Sequence, residues 1–301
     1  MFFKYIDFDG AKKTLSEASL LFSSPLRFND PFDMSVGSLT AYQLGEQSLQ
    51  KIIHLEFNKY IESEREINLN GPNKSQKTCA DLREIFNILP DQAKKKLSEK
   101  IKEENPQIDE GKINLLQAQL LELVKQELGK TGIFCASKTS DNILLWSHYA
   151  DNHQGLVLGF EINKEDSIFN LFRPVNYSNT RPTLYKSPED FIQKSLSQPK
   201  ENVIRKYLDE ITFTKETNWS YEKEIRISVA DLIKDPNFEK TNLQNFKPSR
   251  LKKIFLGLNM APEDKQTISQ IIKRYYSGVE VYEMERDKFQ YKLLKKRVSW
   301  L

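Results

Sequence analysis

Five residues in a short span, Glu222, Glu224, Arg226 and the flanking Trp219 and Tyr221, combine side chains that can contact a substrate and steady a developing charge. Adjacent rings can stack on a planar ligand. Read as a strand, Trp219 to Val229 alternates between two faces. Trp219, Tyr221, Ile225, Ile227 and Val229 share one face with Lys223. Ser220, Glu222, Glu224, Arg226 and Ser228 share the other. A helical reading pairs Glu222 with Arg226 one turn apart instead. The β-branched and aromatic run from Ile225 favours the strand. The plain alternative to a site is a solvated sheet face carrying ion pairs of little energetic weight.

Trp146-Ser147-His148-Tyr149-Ala150-Asp151-Asn152-His153 is a second concentration of aromatic and titratable groups. His148 is a candidate acid or base. A five-residue spacing between His148 and His153 does not place two imidazoles on one helix face, so no metal set is expected. Trp146 and Tyr149 can pack in a core or stack on a ligand. Cys135 falls in an apolar strand, where a thiol behaves as a small hydrophobe. P-loop, dinucleotide-fingerprint, nucleophile-elbow and zinc-protease motifs are missing from the sequence.

These residues need a scaffold. Phe2 to Ile6 reads as a first strand. A helix capped by Asp7 or Asp9 follows to about Glu17, then a short strand at Leu20–Ser23. Pro25, Asn29, Asp30 and Pro31 make Ser24 to Asp33 a polar loop. Phe28 and Phe32 are expected to anchor it, leaving Asn29 and Asp30 to build an Asx turn or to bind a ligand. Residues 41–128 carry helical periodicity and read as a lid-like insertion. Strands return at Gly132–Ser137 and Gly155–Phe160, separated by a helix over Asp141–Tyr149. Phe172–Tyr177 reads as a further strand. A helix from Pro188 to Phe213 leads into the Trp219 strand. Ile254–Leu258 reads as a buried strand and Pro262–Tyr276 as a helix. Val279–Met284 and Phe289–Leu294 close the chain as strands that can pair antiparallel. The expected fold is α+β with a mixed or antiparallel sheet, its core formed by residues 1–40 and 129–301.

Across 301 residues, 45 basic and 42 acidic side chains nearly cancel, which gives no general footprint for nucleic acid and leaves room only for a local patch. The two cysteines, Cys79 and Cys135, suit a reduced compartment. No apolar run reaches about 18 residues and the first residues lack a signal-peptide core, so a cytoplasmic protein without a membrane partner is expected.

Several of these blocks resemble one bacterial family. Phe3-Lys4-Tyr5, Leu21–Pro25, Phe28–Asp33, Trp146–Asp151 with His153 and Gly155, then Trp219, Tyr221-Glu222, Glu224, Arg226 and the Ile254–Gly257 strand are similar to the domain of unknown function 2971. The opening strand, helix and short strand also resemble ADP-ribosyltransferase-like domains. That resemblance implies a basic residue on the first strand (here Lys4), a hydroxyl on a later one (Ser23 or Ser24) and a glutamate on a still later one (Glu224 or Glu222). Lys4 departs from the His or Arg usual on that first strand. Cleavage of the nicotinamide–ribose bond builds oxocarbenium character, which a carboxylate can stabilise.

The expectation is a nucleotide-directed enzyme, with NAD as a candidate substrate and nucleic acid as a candidate substrate or acceptor. Glu224 would stabilise charge, and Glu222 and Arg226 would orient it. Lys4, Tyr5, Ser23, Asn29, Asp30, Trp146, His148, Tyr149, Trp219 and Tyr221 would contact substrate. The rival readings are a metal-dependent nuclease using Glu222, Glu224 and Asp30, and a non-catalytic interaction module in phage defence or stress response whose partner the sequence does not name.

Overall fold

The computed structural model describes residues 1–36, 121–162, 169–186, 190, 194, 200–229 and 242–298. Two compact units are present. The first comprises Met1–Met34, Gly129–Thr180 and Thr212–Leu301, and the second Ser35–Leu128 with Arg181–Ile211. The helical insertion expected at 41–128 lies outside the described residues except for 121–128, which are helical. In the second unit the Arg181 guanidinium donates to the Ser35 carbonyl and hydroxyl.

The first unit is built on an eight-stranded sheet. In chain order its elements begin with β1 (Phe2–Ile6), α1 (Phe8–Glu17), β2 (Ser19–Leu21), β3 (Ile133–Ser137), α2 (Ile143–Tyr149) and β4 (Leu156–Phe160). They continue with β5 (Arg173–Pro174), β6 (Asn176–Tyr177), α3 (Lys200–Thr212, which starts in the second unit), β7 (Thr214–Lys215) and β8 (Glu224–Ser228). The last are β9 (Leu243–Asn245), β10 (Leu251–Leu256), α4 (Pro262–Tyr275), β11 (Glu280–Arg286) and β12 (Leu293–Arg297). Sheet order is β12-β11-β10-β4-β1-β3-β8-β5. Only β10 and β11, joined through α4, run parallel within it. The sheet is therefore mixed, as the irregular alternation of elements implied.

Register explains why the sheet has two unlike faces. Phe2, Phe134, Leu158, Ile225, Ile227 and Ile254 point to one side, where Ala11 and Leu15 of α1 and Ile268 and Ile272 of α4 cover them. Tyr5, Val157, Phe255 and Met284 point to the other, under Leu145 and Trp146 of α2. On that second face Phe3 stands opposite Ser137, and Ser137 opposite Glu224. Cys135 stands opposite Arg226. The second face thus passes from apolar at β10, β4 and β1 to polar at β3 and β8.

Local signals account for the elements. Asp7 caps α1 by accepting from the Gly10 N–H. Asn142 caps α2, accepting from Leu144 and Leu145. Pro262 opens α4 with acidic Glu263 and Asp264 in its first turn and Lys273 and Arg274 in its last, the arrangement a helix dipole favours.

Four expectations need correction. Trp219–Val229 is not one strand: Thr217–Glu222 form a 3-10 helix, Lys223 adopts a left-handed conformation (φ 47°), and only Glu224–Ser228 enter the sheet. Both faces of β8 are buried, so no solvated face exists there. Phe32 does not anchor its loop, being 65% exposed, whereas Phe28 is half-buried. The final strand begins at Leu293 rather than Phe289, because Asp287 spends its carboxylate on the N–H groups of Phe289 and Gln290 and makes residues 287–291 a turn. The closing pair itself, β11 with β12, is antiparallel as expected.

One close approach positions α2. The chain leaves α2 through three consecutive left-handed residues, Asp151, Asn152 and His153 (φ 43°, 51° and 68°), a costly run for residues bearing a Cβ. It is held by the Asn259 N–H, which donates to the His153 carbonyl, and by Gly257, which donates to Gly155. A Cβ on Gly257 would overlap the carbonyl oxygens of His153 and Gly155. Gly257→Ala is therefore expected to cost about 1–3 kcal/mol or more, read as a melting temperature several degrees lower. An unchanged midpoint would mean that this contact does not constrain the turn.

Candidate functional site

At the polar end of the second face, five charged side chains from three segments meet. Arg226 of β8 is fully buried. Its Nε donates to Glu224 Oε1 at 2.8 Å and its Nη2 to Glu224 Oε2 at 3.0 Å. Its Nη1 donates to Asp33 Oδ1 at 2.9 Å and to the Thr212 carbonyl at 2.8 Å, while Nη2 also reaches Asp33 Oδ2. The guanidinium fork is thus filled by two carboxylates and one backbone acceptor. Lys215, on β7, places its ammonium 2.6 Å from Glu222 Oε2, 3.2 Å from Glu224 Oε2 and 3.6 Å from Asp33 Oδ2. The ring of Trp219 lies 4.7 Å from the same ammonium. Tyr149 donates its hydroxyl to Glu222 Oε1 at 2.7 Å.

The backbone that holds this cluster follows from local chemistry. Glu216 caps the 3-10 helix by accepting from Asn218. Ser137 donates to the Glu222 carbonyl at 2.6 Å, and Asn142 Nδ2 donates to the Tyr221 carbonyl at 3.2 Å. The left-handed Lys223 then turns the chain between helix and strand, so Glu222 and Glu224 both reach Lys215 although they leave different elements. The Glu224 N–H donates to the Tyr177 hydroxyl at 2.8 Å.

Three carboxylates face two cations, and the imbalance falls on one of them. Burial and the neighbouring Glu224 push Glu222 up from the usual glutamate range to about 7, against the pull of Lys215. Burial also opposes ionisation of Glu224, but Arg226 and Lys215 outweigh it and hold that carboxyl well below its usual range. Lys215 is desolvated too, yet Glu224 and Glu222 raise its proton affinity. Burial and the Glu224 and Glu222 charges keep the Tyr149 phenol protonated. The arrangement therefore contains one carboxyl that exchanges its proton near neutrality and one that stays ionised.

Of the residues nominated from sequence, Glu222, Glu224, Arg226, Tyr149 and Trp219 come together. The exposed His148 has its ring 6.0 Å from Trp219, and the Tyr221 ring is also 6.0 Å from Trp219. Lys4 is not brought to them. It stands opposite Leu158 on the apolar face of β1, donates to the Cys135 carbonyl at 3.0 Å, and burial lowers its proton affinity. Tyr5 is buried and donates to the Thr139 carbonyl. Trp146 is fully buried, bonded to the Ser140 carbonyl and stacked on His153, so it offers no face to a ligand. Ser23 pairs its backbone with Ile133, and Ser24 caps a 3-10 turn at Pro25–Arg27. Asp30 builds a turn by accepting from the Phe32 N–H at 2.8 Å, and Asn29 lies exposed beside it. Asp30 thus has a backbone duty, and among the described residues no group of three or more His, Cys, Asp or Glu side chains could hold a metal ion.

Sequence reading missed Lys215, Asp33 and Cys135 as members. Asp33 lies within the Phe28–Asp33 block, but the turn residues around it masked a long-range role. Nothing in the sequence near Lys215 marks it, since its partner Glu222 is reached through a helical turn. Cys135 stands across from Arg226 and its thiol contacts Glu224. Burial raises its proton affinity well above the ordinary thiol range, which leaves no thiolate for nucleophilic chemistry.

Among the described residues no helix is long and apolar enough to cross a membrane. Neither the curated proteins nor the solved structures contain a significant match to this chain. Residues 145–227, which include most of α2 and Lys215, Glu222, Glu224 and Arg226 but not Asp33 or Lys4, match the family described as protein of unknown function (DUF2971), in support of the resemblance drawn from the motifs.

Proposed function

We propose that this protein is a nucleotide-directed enzyme whose working carboxylate is Glu222. The observation that carries the reading is that Arg226 grips both oxygens of Glu224 while Glu222 meets only Tyr149 and Lys215, a difference that leaves the buried Glu222 with a proton affinity raised toward neutrality and keeps Glu224 ionised beside it. Enzymes that cleave or transfer at a sugar carbon use such unequal carboxyls. Glu224 was the first choice from sequence. Both its oxygens are engaged by Arg226 and one also by Lys215, so its role here is to hold Arg226 and Lys215 in place. Glu222 carries one bond from Tyr149 and one from Lys215, and either donor can follow a change in its charge.

The half-buried Trp219 and Tyr221 and the exposed His148 supply ring faces for a base. Lys138 and Lys223, both exposed and joined by a backbone hydrogen bond next to Glu222, supply cations for phosphate. Within this class the specific reaction proposed is glycosyl transfer or hydrolysis at the nicotinamide–ribose bond of NAD. Ionised Glu222 would bond a ribose hydroxyl and stabilise the oxocarbenium-like transition state.

The test is release of nicotinamide from NAD by purified protein, with thermal-shift measurements against NAD, ADP-ribose and ATP alongside. Wild type should release nicotinamide and be stabilised by the nucleotide, by roughly 2.7 kcal/mol at a hundredfold excess over the dissociation constant. No release and no shift with any nucleotide would end this reading. One observation favours a second one: Asp33, Lys215, Glu222, Glu224 and Arg226 are all less than 10% exposed and satisfy one another. On that reading the cluster is a structural network in a non-catalytic interaction module.

A further inference from the structure

The link between β11 and β12 presents two aromatic rings to solvent with nothing packed on them: Phe289 is 96% exposed and Tyr291 fully so. This tip is ordered by its own bonds. The Asp287 N–H donates to the Lys292 carbonyl at 3.0 Å, the Lys292 N–H donates to the Gln290 carbonyl at 2.8 Å, and the Asp287 carboxylate accepts from Phe289 and Gln290. Leu293, just beyond, is buried in the core of the second face and anchors the hairpin base. The stretch from Arg286 to Arg297 holds six cations against the single carboxylate of Asp287, in a chain whose charges otherwise nearly cancel. Lys288 and Lys292, both exposed, flank the rings. Further along β12, Lys295 pairs with Asp141, Lys296 with Glu285 and Arg297 with Glu280, so the surplus of positive charge concentrates at the tip.

We propose that this hairpin tip is a docking site for single-stranded nucleic acid, with Phe289 and Tyr291 stacking on unpaired bases and Lys288 and Lys292 holding the adjoining phosphates. Isolated ring faces beside cations are the elements of sequence-tolerant single-strand binding. The order Lys-Phe-Gln-Tyr-Lys favours this partner over a lipid surface. Membrane attachment gains from contiguous apolar area, whereas here Gln290 separates the two rings and lysines bracket them. The proposal is independent of Glu222 and of any reaction at that cluster.

Fluorescence anisotropy with labelled 15-nucleotide oligo-dT and oligo-U tests it, using the full chain, the Phe289→Ala/Tyr291→Ala variant and the Lys288→Glu/Lys292→Glu variant. Because both rings are exposed, the ring variant should melt at the wild-type temperature, which separates binding from folding. The expected result is wild-type binding weakened at least tenfold by loss of the rings, and a salt dependence shallower by a slope of about 1.4 in the lysine variant. Absence of oligonucleotide binding, or binding that the ring variant retains in full, overturns the proposal. Ring-dependent sedimentation with phosphatidylserine–phosphatidylcholine vesicles, without oligonucleotide binding, also overturns it and reassigns the tip to a membrane surface.

Discussion

Arg226→Met is expected to destabilise the first unit by about 3–5 kcal/mol, the cost of leaving buried carboxylates without their cation. Arg226 is fully buried and is the only partner that bonds both oxygens of Glu224 and both of Asp33 among the described contacts. It also serves the Thr212 carbonyl. Methionine fills similar space but supplies no donor, so two charges and one carbonyl lose their bonds together. Lys215 remains within 3.6 Å of Asp33 Oδ2 and 3.2 Å of Glu224 Oε2, but one ammonium cannot replace a forked guanidinium. Against a typical total of 5–15 kcal/mol this is a large share, and the melting midpoint should fall by roughly 10 °C. Arg226→Lys should recover only part of the loss. A shift below about 1 kcal/mol in Arg226→Met would show that the network costs as much in desolvation as it returns, and that the Asp33 loop is held by other contacts.

Glu222→Gln is the second variant with a large expected effect, and it separates the two functional readings. If ionised Glu222 stabilises the transition state, its loss should lower turnover about 10²–10³-fold, and the wild-type pH–rate profile should bend near pH 7, where the variant's does not. Its effect on stability has the opposite sense. The folded state raises the Glu222 pKa from 4.5 to about 7, so it binds the proton more tightly than the unfolded chain. The stability this contributes is fully present below about pH 4.5 and is lost as pH rises through about 7. Glutamine removes that dependence while keeping an acceptor for Lys215. Relative to wild type, Glu222→Gln should therefore gain stability between pH 5 and 8, by up to about 3 kcal/mol. Glu224→Gln should behave in reverse. The folded Glu224 pKa is depressed, so its contribution is present above about pH 4.5 and disappears as pH falls. A Glu222→Gln protein that loses turnover yet melts higher at pH 8 fits a working carboxyl strained for its task. Parallel melting curves for variant and wild type from pH 5 to 8 would remove the basis for giving Glu222 that role.

Much of the scaffold was legible because it rests on local chemistry. Asp7 before α1, Pro262 at the start of α4 and the alternation within Phe2–Ile6 and Leu156–Phe160 each act over a few residues. The block around Trp219–Arg226 was legible as a concentration of chemical groups, and the structure gathers its Glu222, Glu224 and Arg226 side chains into one cluster. Its geometry was not, because period-two alternation assumes an unbroken strand and Lys223 breaks it with a left-handed turn. Lys4 shows the converse. Its place on β1 was readable, but the face it occupies depends on which neighbour it stands against, and pairing with Leu158 puts it on the apolar side.

The sequence by itself determined the mixed α and β character, most of the elements apart from the short strands β7 and β9, and the residues of the Trp219–Arg226 block. Only the tertiary structure decided that Asp33 and Lys215 join that block and that Trp146 does not. Asp33 is separated from Arg226 by 193 positions, a pairing set by sheet register and loop path rather than by local preference. The unequal proton affinities of Glu222 and Glu224 have the same origin. Two glutamates two residues apart have the same intrinsic chemistry, and they diverge because folding buries both while giving the guanidinium to only one.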